Sequence, residues 1–175
     1  MKKAIPKEYK KTIHDINYEK LKEDGIKCLI FDLDNTLTKI DNNVPDKDTL
    51  DLIKRLKKDF KVFILTNNND KNRLDEVSKN LDLPYVSFAL KPSKIGFIRV
   101  LKKANVKKSE ACIIGDQIVT DIIGGNRIKA ITVLVDPLGT KDLKITSFNR
   151  FLEKKIIKGL EKKNQFKKGE YYDKR

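Results

Sequence analysis

The chain has 175 residues, enough for one α/β domain with a core of its own and too few for two. Its 39 lysines and arginines outnumber 25 aspartates and glutamates, and the resulting +14 favours anionic partners such as phosphorylated molecules, nucleic acid or phospholipid surfaces. His14 is the only histidine, which argues against Ser-His triads, histidine-rich zinc sites and histidine proton relays and points to carboxylates, lysine and hydroxyls for catalysis.

Residues 1–26 read as a helical or extended N-terminal arm without the apolar core of a signal peptide, so a cytoplasmic protein is expected. No later stretch approaches the roughly 20 apolar residues that cross a bilayer. Five runs rich in Ile, Leu, Val and Phe follow, at 28–33, 61–66, 85–90, 111–115 and 130–135. Such runs suit strands buried on both faces of a parallel sheet. Cys28 and Cys112 lie inside two of them and read as small core residues.

Helical patterns separate the runs. The first, opened by Pro45-Asp46, carries Leu50, Ile53 and Leu56 on one face, and the second, after Asn69-Asp70, carries Leu74, Val77 and Leu81. A third opens at Pro92-Ser93, with Pro92 expected in its first turn, and turns Ile95, Ile98 and Leu101 inward. The fourth follows Asp116 through Ile118, Ile122 and Ile128. Strand and helix in alternation imply an open, doubly wound parallel sheet of about five strands, Rossmann-type in its winding. Residues 147–175 form a basic amphipathic helix, with Phe148, Leu152, Ile156 and Leu160 opposite Arg150, Lys154 and Lys158, followed by a mobile end over 161–175. From residue 141 onward 12 basic side chains face 5 acidic ones, so half of the net charge lies there. A basic amphipathic helix can lie on an anionic membrane, although most such helices pack on their own domain.

In doubly wound sheets ligands bind beyond the carboxyl ends of the strands. The first run ends in Asp32-Leu33-Asp34, the second in Thr66-Asn67-Asn68, the third in Lys91, and the fourth in Gly115-Asp116 with Asp121 close behind. Thr66 and the amides after it could hold phosphate oxygens. Four carboxylates on one sheet edge repel one another unless a hard cation lies among them, and an all-oxygen set suits Mg²⁺ better than zinc. Gly115 would let the backbone approach a ligand closely.

The ordered set Asp32-x-Asp34-x-Thr36, Thr66, Lys91 and Gly115-Asp116-x-x-x-x-Asp121 resembles the four motifs of the haloacid dehalogenase-like (HAD) phosphatase superfamily, over about residues 27–136. The resemblance implies a phosphatase domain over 27–146, in which Asp32 is the nucleophile, forming an aspartyl-phosphate, and Asp34 the acid and base. Thr66, Asn67 and Lys91 would bind the phosphoryl group, with Lys94 the rival for the lysine role. Asp32, the backbone carbonyl of Asp34, Asp116 and Asp121 would hold Mg²⁺. Neither 38–60 nor 69–90 has room for the cap domain that covers the site in many members. Together with Gly124-Gly125-Asn126-Arg127 and Asn149-Arg150-Phe151, the motifs are similar to the bacterial YqeG family of class IIIA HAD phosphatases. That family is related to the phosphatidylglycerophosphate phosphatases, which implies a phospholipid head group as substrate and peripheral contact with the inner face of the membrane. Two alternatives are a HAD phosphatase on a soluble sugar phosphate, nucleotide or nucleic-acid phosphate end, and an RNA- or ribosome-binding module with a vestigial site. The second is disfavoured because no RNA-recognition signature is present.

Overall fold

The computed structural model describes residues 2–139 and 144–174, with side chains described for 3–139 and 151–174. Its strands are β1 (Glu8–Lys10), β2 (Cys28–Phe31), β3 (Lys61–Leu65), β4 (Tyr85–Val86), β5 (Ala111–Gly115), β6 (Ile131–Val135) and β7 (Tyr172–Asp173). The helices are α1 (Tyr18–Glu23), α2 (Lys47–Leu56), α3 (Lys71–Leu81), α4 (Lys94–Ala104), α5 (Ile123–Ile128) and α6 (Lys144–Glu161), with a π-helical turn over Ile118–Ile122 leading into α5.

The strands form one sheet in the order β4-β3-β2-β5-β6-β1-β7, parallel except for β7, which pairs antiparallel with β1. Seven strands replace the expected five. The two additions come from the segments expected to be an arm and a mobile end: β1 pairs with β6, and β7 closes on β1. Three residues of β1 and two of β7 are too few to leave a periodic signal, which is why the sequence shows neither.

Alternation along the inner strands divides the core into two layers. Leu29, Phe31, Cys112 and Ile114 face Leu52, Ile53, Leu74, Val77 and Leu81 of α2 and α3. Cys28, Ile30, Ala111 and Ile113 face Phe97, Val100, Leu101 and Ile128 of α4 and α5. Helices on both faces make the sheet doubly wound, and both cysteines are buried core residues, as expected. Gly124 and Gly125 sit where helix meets neighbour: a Cβ on Gly124 would lie 2.5 Å from the Phe97 ring, and one on Gly125 2.5 Å from Thr132 Cγ2.

Three local expectations are corrected. The run 85–90 pairs only at Tyr85 and Val86, because Phe88 and Leu90 turn into the left-handed region with φ of 48° and 55°. Pro92 does not open α4; Ser93 is its N-cap, and Pro92 precedes it after a cis peptide bond. The buried face of α4 is Gly96, Phe97, Val100, Leu101 and Ala104, whereas Ile95 and Ile98 are 55% and 36% exposed. Gly96 sets that rotation, since a Cβ there would lie 2.6 Å from the carbonyl oxygen of Ala89.

In α6 the apolar stripe packs inward. Leu160 is fully buried, and Ile156 and Ile157 pack beside it against Ile118, Ile122 and Leu134. The side chains of Phe148, Asn149 and Arg150 lie outside the described residues, while Lys154 and Lys158 are exposed. The end of the chain is folded: Phe166 is buried, with its ring 5.2 Å from that of Tyr9.

Candidate active site

The parallel register sets Phe31 opposite both Ile64 and Ile114, so β3 and β5 end within one residue of the end of β2. Asp32, Thr66 and Asp116 therefore meet at one edge. Chain direction around the sheet reverses between β2 and β5, the switch point at which such sheets open a binding crevice.

Asp32 continues β2, its N–H donating to the carbonyl of Ile114 at 2.9 Å. The chain then turns tightly. Asn35 adopts φ of 64°, and the amides of Thr36, Leu37 and Thr38 all donate to the carbonyl of Leu33. That turn carries Asp34 away from Asp32. Its carboxylate is held by Arg73 Nη2 at 2.8 Å and Asn68 Nδ2 at 3.1 Å. Asp70 caps α3 by accepting the N–H of Arg73, which fixes Arg73 in the first turn. The same guanidinium donates to the carbonyls of Lys39 and Asn42 and to Asn43 Oδ1, so it ties Asp34 to the whole 39–43 loop.

Lys91 is buried and donates to Asp32 Oδ1 at 2.6 Å and Asp121 Oδ1 at 2.7 Å. Asn67 fixes it from behind, accepting the Lys91 N–H at 2.7 Å and donating to its carbonyl at 3.0 Å. The Asn67 side chain is thus engaged with the protein, which leaves its backbone amide as the group able to meet substrate. Lys94 points outward and is exposed. Thr66 is buried and its Oγ1 accepts the N–H of Asn68 at 3.0 Å, so the hydroxyl proton is available to an anionic oxygen.

Asp116 is buried, with Thr36 Oγ1 3.5 Å away, and Asp121 accepts the N–H of Gln117 at 3.2 Å and the Thr120 hydroxyl at 3.3 Å. The glycine of this motif serves the aspartate: a Cβ on Gly115 would fall 2.4 Å from Asp121 Cγ. Asp32, Asp116 and Asp121 each offer an oxygen within 4.8 Å of the others. The side chain of Asp34 is not in that group; it is engaged with Arg73 and Asn68.

Burial pushes the Asp32 carboxyl well above its ordinary range; Lys91 opposes this, while Asp121, Asp116 and Asp34 add to it. Burial alone would weaken the Lys91 ammonium, but Asp121 and Asp32 outweigh it and hold the group charged. One ammonium among three carboxylates leaves a surplus of negative charge in a buried cluster. A hard divalent cation is the group that fits it.

Arg73 is a residue beside the site that strand-end reasoning passes over, and Asn68 stands at a strand end without its side-chain bond to Asp34 being evident there. A signal exists for Arg73. The chain has six arginines among its 39 basic residues, so an arginine three residues into a helix next to the site marks a place where a planar, many-donor head is needed.

A sheet crevice with an aspartate pair on one strand end, a buried lysine and a three-carboxylate cluster defines a phosphoryl-transfer hydrolase. The haloacid dehalogenase-like hydrolase model matches residues 39–129. "Probable phosphatase YqeG" of Bacillus subtilis is 38% identical over 160 residues, covering 91% of this chain and 92% of that one. The chain therefore belongs to the HAD hydrolase superfamily, and within it to the YqeG family of phosphatases. Solved structures share the fold at low identity. The putative HAD-hydrolase YfnB from Bacillus subtilis, bound to magnesium, has a TM-score of 0.53 at 13% identity, covering 73% of this chain and 98% of that one. A HAD-family enzyme from Bacteroides thetaiotaomicron, in complex with magnesium and inorganic phosphate, has a TM-score of 0.52 at 16% identity, covering 70% of this chain and 99% of that one.

Proposed function

We propose that the chain is a Mg²⁺-dependent phosphomonoesterase working through an aspartyl-phosphate on Asp32, with phosphatidylglycerophosphate as substrate. The observation that carries the mechanism is the pairing of a buried Asp32–Lys91–Asp121 cluster with a second carboxyl, Asp34, held apart from it on its own bonds. In the first step an Asp32 oxygen attacks phosphorus, the ester P–O bond breaks, and the proton of the Asp34 carboxyl goes to the leaving alkoxide. In the second, water attacks phosphorus, Asp34 takes its proton, and the Asp32 carboxylate leaves with phosphate released. Lys91 and the Thr66 hydroxyl meet the charge that spreads over the equatorial oxygens. Asp32, Asp116 and Asp121 would hold Mg²⁺, which supplies Lewis-acid neutralisation of the phosphoryl oxygens.

Two features support a lipid ester. The connection from β2 to β3 holds α2 and that from β3 to β4 holds α3, with no inserted domain in either, so the crevice lies open to a substrate presented on a surface. The +14 charge draws the protein to anionic lipid. No helix among the described residues is long and apolar enough to cross a membrane, so contact with a cytoplasmic leaflet would be peripheral.

The test is Mg²⁺-dependent phosphate release from phosphatidylglycerophosphate in mixed micelles, beside a panel of soluble phosphomonoesters and an Asp32→Asn blank. Preference for the lipid, with the blank reduced to background, is the expected result. Release from soluble esters alone removes the lipid substrate, and undiminished turnover by Asp32→Asn removes the mechanism.

A further inference from the structure

From Leu83 to Ser109 the chain contains seven basic residues and no acidic one. One of the seven, Lys91, is spent inside the site; Lys94, Arg99, Lys102, Lys103, Lys107 and Lys108 are exposed. The same segment holds four of the exposed large apolar side chains: Phe88 at 58%, Leu90 at 49%, Ile95 at 55% and Ile98 at 36%. Phe88 and Leu90 lie in the β4–α4 loop, and Lys94, Ile95, Ile98, Arg99, Lys102 and Lys103 on the outer face of α4, which together form one corner; Lys107 and Lys108 lie beyond the far end of the helix.

This corner is rigid in its backbone. Phe88 N–H donates to the carbonyl of Asn68, Ala89 N–H to that of Thr66, and Ser93 N–H to that of Leu90. From α4, Arg99 Nη2 donates to the carbonyls of Ser87 and Phe88 at 3.1 and 3.2 Å. Ala89, between the two apolar residues, is fully buried against Gly96. Phe88 and Leu90 are held in left-handed backbone, a conformation that bulky residues rarely adopt, and both turn their side chains to water. Ile95 and Ile98 stand on the next turns of α4 on the side away from the core.

We infer that this corner is a docking surface for an anionic lipid bilayer, with Phe88, Leu90, Ile95 and Ile98 entering the head-group boundary and the surrounding lysines meeting lipid phosphates. Charge complementarity selects this partner: a wholly basic segment combined with three aliphatic side chains and a single ring, Phe88, too few rings to stack a run of bases, suits an anionic bilayer better than a nucleic-acid strand. Docking here brings the membrane to the loop that carries Lys91, one residue beyond Leu90, and so places the crevice at head-group level. The inference deepens the lipid-ester reading by giving it a membrane contact.

The experiment measures co-sedimentation of the full chain with vesicles of phosphatidylglycerol and phosphatidylcholine, with pure phosphatidylcholine as control. The variants are wild type, Phe88→Ser/Ile95→Ser/Ile98→Ser and Lys102→Glu/Lys103→Glu. Soluble-ester turnover reports folding. Expected are wild-type binding that grows with anionic lipid and falls with salt, and at least about tenfold weaker partitioning for the triple variant, equivalent to about 1.4 kcal/mol. The charge variant should be weakened on anionic vesicles, and both variants should keep soluble-ester turnover. Undiminished binding by the triple variant, no vesicle binding at all, or binding to single-stranded RNA that the vesicles do not compete for overturns the inference. Vesicle binding lost in the triple variant while only soluble esters are hydrolysed would sustain the docking surface and remove the lipid substrate. Lipid hydrolysis in micelles with no vesicle binding would do the reverse.

Discussion

At the scale of single residues, the proposed metal role of Asp32 would couple metal binding to pH. Burial first, then Asp121, Asp116 and Asp34, hold its folded-state carboxyl above the ordinary 3.8 against the pull of Lys91. A raised value means that the folded chain binds this proton more tightly than the unfolded one. Its contribution is complete below the unfolded value and is lost as pH rises through the folded one. Mg²⁺ held as proposed would replace the proton as the neutralising charge, and a ligand bound only by the folded state raises the melting temperature. Saturating Mg²⁺ should therefore raise Tm more at about pH 8 than at about pH 5. Scanning calorimetry with and without the ion checks this, and equal shifts at both values would show that Asp32 is not the coupled group.

Arg73 acts through Asp34. Arg73→Lys keeps the charge but loses the fork that spans Asp34 and the carbonyls of Lys39 and Asn42. Misplacing the acid should lower kcat by about 10- to 100-fold while leaving KM for a soluble ester within about twofold. A purely structural role would instead lower Tm with kcat per folded molecule unchanged. Arg99 and Arg127 work in the same way, donating to backbone carbonyls of Ser87, Phe88 and Pro92 on either side of Lys91. In a chain that otherwise uses lysine, these arginines brace the loops that carry the chemistry.

At the scale of elements, α6 reaches the π-helical turn beside the site by packing of Ile156, Ile157 and Leu160 and by a hydrogen bond accepted by Glu153. Glu153 Oε1 accepts the N–H of Ile118 at 2.6 Å, and both groups are buried. This bond opens the π-helical turn that carries Asp121. Glu153→Ala would strand a buried donor and should cost about 1–3 kcal/mol of unfolding free energy, read from urea denaturation. Unchanged stability would mean that the turn holds its shape unaided.

Strands β2 to β6 and the strand-end residues were legible in the sequence because each depends on a local signal: an apolar run, then a polar residue where the run stops. The outward face of α4 was not legible. Ile95, Ile98 and Leu101 have the spacing of a core stripe, and so do Phe97, Val100, Leu101 and Ala104; the contact between Gly96 and Ala89 decides between them, and it joins residues seven apart through a loop. Arg73 and the side-chain bond of Asn68 were missed for a related reason, since their partner Asp34 lies 39 and 34 residues away.

At the scale of the whole molecule, the two ends of the chain meet. Tyr9 in β1 is buried, its ring packs on Phe166 and Tyr171, and its hydroxyl donates to Asp136 Oδ1 at 2.5 Å. Tyr171 donates to the other oxygen of Asp136 at 2.6 Å, just beyond β6. Residues beyond α6 therefore cover the edge that β1 adds to the sheet. A chain ending at Glu161 would uncover Tyr9 and leave β1 as an open edge, a template for pairing with other chains. Losing Phe166 alone removes about 2–3 kcal/mol of apolar burial. The truncated protein should melt at lower temperature and aggregate as it does so, while its site, assembled on β2, β3 and β5, keeps soluble-ester turnover at temperatures where it is folded. Tm and light scattering, measured beside turnover, separate the outcomes: an unchanged Tm would show that the terminal segment is dispensable, and loss of turnover in the folded truncation would show that the site depends on β1 and β7 as well.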